Sequence, residues 1–359
     1  MIPKPSLSGG LKVVRRFSDD LVTRGHRVRI YFPMASDPLP PPYRVRTFAR
    51  AALQRARALG RDPTELHTMF TGTRADIVPC RGLQVAASDV AAADVVVATW
   101  WETRAWMAQW PARVGAPVYF VQGWDADISA NDAERVLATY RLPGAIVTVS
   151  HSLSARLRER AGRDDARFVG LGLDEQFHAP PRGRQRRPTV GVLVSSHPLK
   201  GTALAFRALK RVEEQFPYLH VIAFGIEKLA PFPVMPSSLE WIVRPPQSEI
   251  PGIHARCDVW LTASKSEGLG LPGLEAAGCG CPLVSTRCGG PEEYLTEGDN
   301  GFFCDVDDER GMSAAIARVL SSDEAAWRRM SERSVARARA LSWPAAVDRM
   351  ERELANAVR

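Results

Sequence analysis

The chain has 359 residues, 45% of them hydrophobic and 24% charged, with a formal net charge of +7. These are ordinary values for a globular protein of two domains, and they exclude a disordered, collagenous or disulfide-stapled chain. No run of 18 apolar residues occurs and "MIPKPSLSGG" has no signal-peptide core, so a cytoplasmic protein without a helical membrane span is expected.

Apolar runs of strand type occur at 26–32 "HRVRIYF", 94–99, 117–121 "PVYFV", 145–149 and 167–170. Residues 178–189, "HAPPRGRQRRPT", have no periodicity and read as a linker. Strand patterns resume at 190–194 "VGVLV", 219–224, 239–243, 258–262, 282–285 and 301–304, with helical patterns between them. The alternation predicts α/β domains with parallel sheets: residues 1–178, then 179–342, then a helix over 343–359 whose Pro344 falls in the first turn. A doubly wound domain opens with a central strand, and only Met1 and Ile2 precede "PKPSLSGG". The first strand of the first domain is therefore expected to be missing.

The positive charge is lopsided: residues 1–180 hold 24 Lys/Arg against 18 Asp/Glu, and residues 181–359 hold 23 against 22. Within 43–61, six arginines (Arg44, Arg46, Arg50, Arg55, Arg57, Arg61) accompany an apolar stripe of Phe48, Ala52, Leu53, Ala56 and Leu59 at helical spacing. Such a helix packs its stripe on a core and projects its arginines toward solvent or an anionic partner. The cysteines include only a C-x-C pair, Cys279 and Cys281, without a histidine pair, so they read as buried thiols rather than metal ligands.

The stretch "SEGLGLPGLEAAGCGCPLVS", residues 266–285, carries the chemistry. Gly268, Gly270 and Gly273 spell G-x-G-x-x-G, a dinucleotide fingerprint. That fingerprint belongs in the first strand-to-helix turn of its domain, with a carboxylate at the end of the next strand. Here the glycines follow the fourth strand of the second domain, and the next strand ends at Ser285. Dinucleotide binding is thereby disfavoured. The remaining physics is that of a helix start: the N–H groups of Gly268, Leu269, Gly270 and Leu271 converge where negative charge is stabilised, and Glu267 and Glu275 bracket them. A ligand with phosphates in its middle and hydroxyls at both ends fits, namely a nucleotide sugar, with Glu275 on the ribose and Glu267 on the sugar. The competing reading is a capped helix with two solvated glutamates.

The stretch "SKSEGLGLPGLEAAGCGCPLVSTRCGGPEEYL" resembles the donor signature of retaining GT-B glycosyltransferases, specifically glycosyltransferase family 4. "SGGLKVVRRFSDDLVTRGHRV", "TVSHSLSARL", "VGLGLDEQF", "LKGTALAFRAL", "GDNGFFCDVDD" and "LSWPAAVDRM" extend the resemblance over most of the chain, and "VATWWETRAW" with "VYFVQGWD" is similar to bacterial polysaccharide rhamnosyltransferases. The resemblance implies two Rossmann-like domains facing across a cleft, the first for the acceptor and the second for the donor. It implies transfer of a hexose or deoxyhexose, with retention, from a nucleoside-diphosphate sugar to a glycan or lipid-linked hydroxyl in cell-surface polysaccharide synthesis.

By the same resemblance Lys200 and Glu267 are the catalytic pair. Gly9, Gly10, Ser195, Gly225, Val243, the 268–271 amides and Glu275 contact the donor, and Trp100, Trp101 and Gln122 face the acceptor. The family's usual arginine five residues before the lysine is replaced by Ser195; either Arg187 or Arg244 compensates, or Lys200 acts alone. The two tryptophans either stack on a sugar or pack in the core. Asp125 and Asp127 form a D-x-D that reads either as a metal site or as a helix cap. No metal or cofactor is expected, because Lys200 and backbone amides supply the positive potential. Nucleic acid is not an expected partner, whereas residues 43–61 are expected to meet an anionic membrane at its inner face or a lipid-linked acceptor. A GT-B nucleotide-sugar epimerase and a non-catalytic nucleotide-sugar-binding protein are the competing functions.

Overall fold

Every strand pair among the described residues is parallel, and helices connect most of the successive strands. The computed structural model describes residues 1–3, 9–34, 70–180, 182–226 and 232–359. The arginine-rich segment 43–61 lies outside them. The chain divides into two units: Met1–Thr148, Ser154–Val169 and Val347–Arg359 form the first, and Val149–Leu153 with Gly170–Ala346 form the second.

In the first unit β1 (Arg29–Pro33) pairs with β2 (Asp76–Cys80), and β3 (Val95–Ala98), β4 (Ala116–Val121), β5 (Ala145–Thr148) and β6 (Arg167–Phe168) follow in that order in a second sheet. Strand β2 was not among the expected strands. Its Pro79 donates no hydrogen bond and most of its residues are only half-buried, so its apolar pattern is weak. Met1 and Ile2 lie between the two sheets: Ile2 N–H donates to Tyr31 O (3.1 Å), the Met1 amino group to Val97 O, and the Thr99 hydroxyl to Met1 O (2.9 Å). The Gly9–Thr23 helix buries Leu11, Val14, Phe17 and Leu21, the i, i+3 pattern of one helix face, and Phe17 meets Phe120 edge-on at 5.4 Å. Each such side chain contributes about 1.5–3 kcal/mol by leaving water. The end of the Trp343–Ala357 helix is held on this unit by Arg24, whose guanidinium bonds Asp348 and Glu351 at 2.7 Å each.

The second unit carries a six-stranded sheet of β7 (Thr189–Leu193), β8 (His220–Gly225), β9 (Leu239–Val243), β10 (Val259–Thr262), β11 (Leu283–Thr286) and β12 (Gly301–Cys304), ordered β12-β11-β10-β7-β8-β9. Its core includes Val190, Val192, Phe206, Leu209, Leu261, Ile316 and Trp327. The stretch that reads as a linker is pinned by its arginines. Arg182 donates to Cys279 O and Cys257 O, Arg184 to Leu320 O and Ser322 O, and Arg187 to Tyr218 O and Leu219 O. All six cysteines are unpaired and buried.

Candidate functional site

Strand order in the six-stranded sheet reverses between β7 and β10: β8 and β9 lie on one side of this pair, β11 and β12 on the other. A reversal of this kind leaves a crevice beyond the carboxyl ends of the two strands, where α/β sheets bind ligands. Two loops leave those ends. After β7 the chain passes Ser195, whose N–H donates to Thr202 Oγ1 (3.0 Å) while that hydroxyl donates back to Ser195 O (2.8 Å). It then makes the turn Pro198–Lys200. Gly201 follows with φ 64, and a Cβ there would stand 2.0 Å from Ala263 O, so only glycine fits. After β10 the chain passes Ser264 and Glu267. The Lys265 N–H donates to Leu199 O (2.7 Å) and joins the two loops.

The charged side chains meet at this junction. Lys200 Nζ lies 2.6 Å from Glu267 Oε1, and the Ser264 hydroxyl donates to the same oxygen at 2.6 Å. The Glu267 backbone is fixed on both sides, its N–H donating to Cys288 O (2.9 Å) and its O accepting from Gly290 N–H (3.3 Å). Burial pushes the adjacent Cys288 thiol up to about 12, so it stays neutral there.

Gly268 and the buried Leu269 lead to Gly270, which caps the Leu271–Gly278 helix in the left-handed conformation with φ 80. Pro272 occupies the first turn, where its missing N–H costs nothing. Glu275 sits on this helix with 8% exposure. A Cβ at Gly273 would stand 2.5 Å from the Tyr294 hydroxyl. The third glycine of the G-x-G-x-x-G pattern is thus explained by packing against Tyr294.

Gly225 and Val243 are in register at the carboxyl ends of β8 and β9. The Gly225 carbonyl accepts the Arg244 N–H at 2.8 Å, and Val243 is 42% exposed. Arg244 has φ 50 and its Nε donates to Ile226 O at 2.6 Å. Arg187 is not a substitute for the arginine absent at Ser195. It precedes β7, at the end of the strand opposite to Lys200, and its guanidinium is bonded to Tyr218 O, Leu219 O and Ser238 Oγ.

In the first unit Trp100 follows β3 and caps the Trp101–Met107 helix. The Thr103 hydroxyl accepts from Thr99 N–H and Trp100 N–H (3.2 and 3.1 Å) and donates to Trp100 O (2.7 Å). Trp101 is 5% exposed, its indole N–H donates to Ser129 Oγ at 3.1 Å, and the Arg135 guanidinium covers its ring. Of the two alternatives weighed for this ring, core packing is the one observed. Gly9 and Gly10 open the first helix. Gln122 follows β4, and its Oε1 lies 3.4 Å from where a Gly10 Cβ would stand. That oxygen is buried and has no hydrogen-bond partner among the described residues.

The D-x-D aspartates have protein partners. Asp125 accepts from Trp101 N–H (3.0 Å) and the Tyr119 hydroxyl (2.5 Å), and Asp127 makes a bidentate pair with Arg156 at 2.7 and 2.8 Å. Among the described residues no group of three His, Cys, Asp or Glu side chains is placed to hold a metal.

Several contributors had no signal in the sequence. Ser264, Thr202 and Tyr294 act through single hydroxyls. The His151 side chain, 70% exposed, is held by Glu293: its Nδ1 lies 3.0 Å from Oε2 and its backbone N–H donates to Oε1 at 2.6 Å. Only the three-residue spacing of Ser264 and Glu267 could have suggested the first of these contacts.

Residues 175–337 match the family model of glycosyl transferases group 1. The stretch contains the whole Lys200–Glu267–Glu275 arrangement. In sequence the chain is similar to N-acetyl-alpha-D-glucosaminyl L-malate synthase of Bacillus anthracis, 38% identical over 88 residues, 24% of this chain and 23% of that protein. It is also similar to D-inositol 3-phosphate glycosyltransferase of Corynebacterium urealyticum, 24% identical over 216 residues, 56% of this chain and 48% of that one. The matched stretches thus span less than half the length of these two relatives. Among solved structures, HepE of Anabaena in complex with UDP-glucose aligns with TM-score 0.73 and 13% identity, covering 99% of this chain and 98% of that one. The fold is that of GT-B proteins, with parallel sheets in a Rossmann-like α/β arrangement in both units.

Proposed function

We propose that the protein is a retaining glycosyltransferase that moves a hexose or deoxyhexose from a nucleoside-diphosphate sugar to a hydroxyl of a glycan or lipid-linked acceptor. The meeting of Lys200 with Glu267 at the strand-order reversal carries the proposal. A cation suited to phosphate and a carboxylate suited to hydroxyls thus lie beside a glycine-capped helix start, which supports this reading. The group 1 match over the same residues and the likeness to a fold solved with UDP-glucose support it.

The chemistry follows from charge. Breaking the bond between the anomeric carbon and the diphosphate puts negative charge on the departing phosphate oxygens. Lys200 neutralises that charge, and the 268–271 amides favour it further, which is transition-state stabilisation by groups already in place. Glu267 accepts from the sugar hydroxyls and Glu275 from the ribose. The acceptor hydroxyl attacks the face that the diphosphate leaves and passes its proton to the departing phosphate oxygen, so configuration is retained without a protein nucleophile. Gly225 and Val243 border the base, and Trp100 and Gln122 face the acceptor. Trp101 supports this face from the interior.

The setting we propose is cell-surface polysaccharide synthesis at the inner face of the membrane, with the arginines of 43–61 meeting an anionic acceptor; co-sedimentation with anionic and neutral liposomes tests this. No helix among the described residues is long and apolar enough to cross a membrane. The function itself is tested by a thermal-shift panel of nucleoside diphosphates and their sugars. A bound donor at 100 times its Kd adds about 2.7 kcal/mol of stability. Slow release of nucleoside diphosphate from that donor without acceptor is the expected second result. A panel with no shift for any sugar nucleotide overturns the proposal.

A further inference from the structure

Lys200 is not presented to solvent as an unopposed cation. Its Nζ is held 2.6 Å from Glu267 Oε1, and that oxygen also accepts from the Ser264 hydroxyl at 2.6 Å. The Glu267 side chain is 13% exposed and that of Lys200 32%. Ser264 is 4% exposed, and its carbonyl accepts from the Thr286 hydroxyl, so the serine is part of the rigid exit from β10. A diphosphate reaches Lys200 only in competition with Glu267. Once the ammonium has moved to phosphate, the carboxylate keeps one donor, Ser264, and faces a second negative charge. A sugar hydroxyl is a neutral donor that takes the vacated position; a bare diphosphate brings nothing to it.

We propose that Ser264, Glu267 and Lys200 form a specificity device that makes the protein favour a nucleoside diphosphate bearing a sugar over the bare diphosphate. Ser264 is a positioning residue that keeps the carboxylate aimed after Lys200 has left. The proposal rests on the donor-site assignment above. It has a consequence for turnover: when the sugar has been transferred, Glu267 recaptures Lys200 and the diphosphate product is released.

The test is calorimetric titration of the full chain with UDP, UDP-glucose, GDP and GDP-mannose. The wild type is expected to bind one pair, the sugar form more tightly. Glu267→Gln removes the competing charge and is expected to bind the bare diphosphate about tenfold more tightly and the sugar nucleotide more weakly, one charge-assisted hydrogen bond in each direction. Glu267→Asp, too short to hold Lys200 in the same way, is expected to shift the two affinities likewise. Ser264 bonds the carboxylate whether or not a bare diphosphate is bound, so its contribution cancels for that ligand. Ser264→Ala is expected to leave bare diphosphate within about threefold of wild type and to weaken the sugar nucleotide about tenfold. A Glu267→Gln protein that melts like wild type but binds bare diphosphate no more tightly overturns the device, as does a Ser264→Ala protein that weakens both ligands equally. In either case wild-type binding leaves the donor site standing. Wild type that binds none of the four probes overturns the donor site as well.

Discussion

The Tyr294 hydroxyl donates to the Gly270 carbonyl oxygen at 2.8 Å, joining the turn after β11 to the cap of the Leu271–Gly278 helix. Both groups are buried, and the carbonyl keeps the N–H donors of Gly273 (3.0 Å) and Leu274 (3.2 Å), so Tyr294→Phe removes one bond without orphaning the acceptor and is expected to cost about 0.5–1.5 kcal/mol in urea denaturation. Gly273→Ala is expected to cost more, because the new methyl would stand 2.5 Å from the same hydroxyl. In the Tyr294→Phe background part of that clash is gone, so the two changes should be less than additive. Strict additivity would mean that Tyr294 is not what requires a glycine at 273.

Lys200→Ala and Glu275→Ala are expected to weaken nucleotide-sugar binding by about 1.5–3 kcal/mol each, tenfold or more in Kd. Both side chains border the strand-order reversal without belonging to the core cluster, so the melting temperature of Lys200→Ala should stay near that of wild type. Two purified variants with unchanged donor affinity would remove these residues from the site.

Much of the scaffold was legible because buried parallel strands are short apolar runs, and "VGVLV" at 190–194 or "VYFV" at 118–121 admit few other readings. Strand β2 was not, since Pro79 and its half-exposed neighbours carry no such run. The spacing of Glu267 and Glu275 around a helix start could be read along the chain. The pairing of Lys200 with Glu267 could not, because 67 residues separate them and only the adjacency of β7 and β10 brings them together. Arg182, Arg184 and Arg187 looked like a solvated linker because most of their partners are main-chain carbonyls, which leave no trace in a sequence.

Donor turnover is expected to be unchanged by EDTA. The argument is one of partners: Asp125 is buried against Tyr119 and Trp101, and Asp127 is spent on Arg156, so a metal would have to break these bonds to use the D-x-D. Arg156→Ala should therefore alter stability rather than metal dependence. Loss of turnover in EDTA with recovery on manganese would return Asp125 and Asp127 to the active site.

Two buried groups give stability opposite pH dependences. His254 is enclosed by Phe177, Phe224 and Trp260, and neither ring nitrogen has a hydrogen-bond partner among the described residues. Burial lowers its pKa from 6.5 to about 3. The unfolded chain then binds a proton that the folded chain refuses, so this stability is complete above 6.5 and is lost as pH falls toward 3. Asp125 behaves in the opposite sense. Burial raises it from 3.8 to about 7, against the opposing hydrogen bonds from Tyr119 and Trp101, with Tyr119 and Tyr140 as its titratable neighbours. The folded chain holds that proton more tightly, so this stability is complete below 3.8 and is lost as pH rises through 7. Each group tilts stability by up to about 1.4 kcal/mol per pH unit inside its own window. In the wild type the two tilts oppose each other across the overlap. Asp125→Asn removes the loss on the neutral side, so its urea midpoint should rise with pH where that of the wild type is nearly flat. His254→Leu removes the acid-side loss, and its midpoint should fall with pH over the same range. If both variants trace curves parallel to wild type, neither buried group titrates on unfolding.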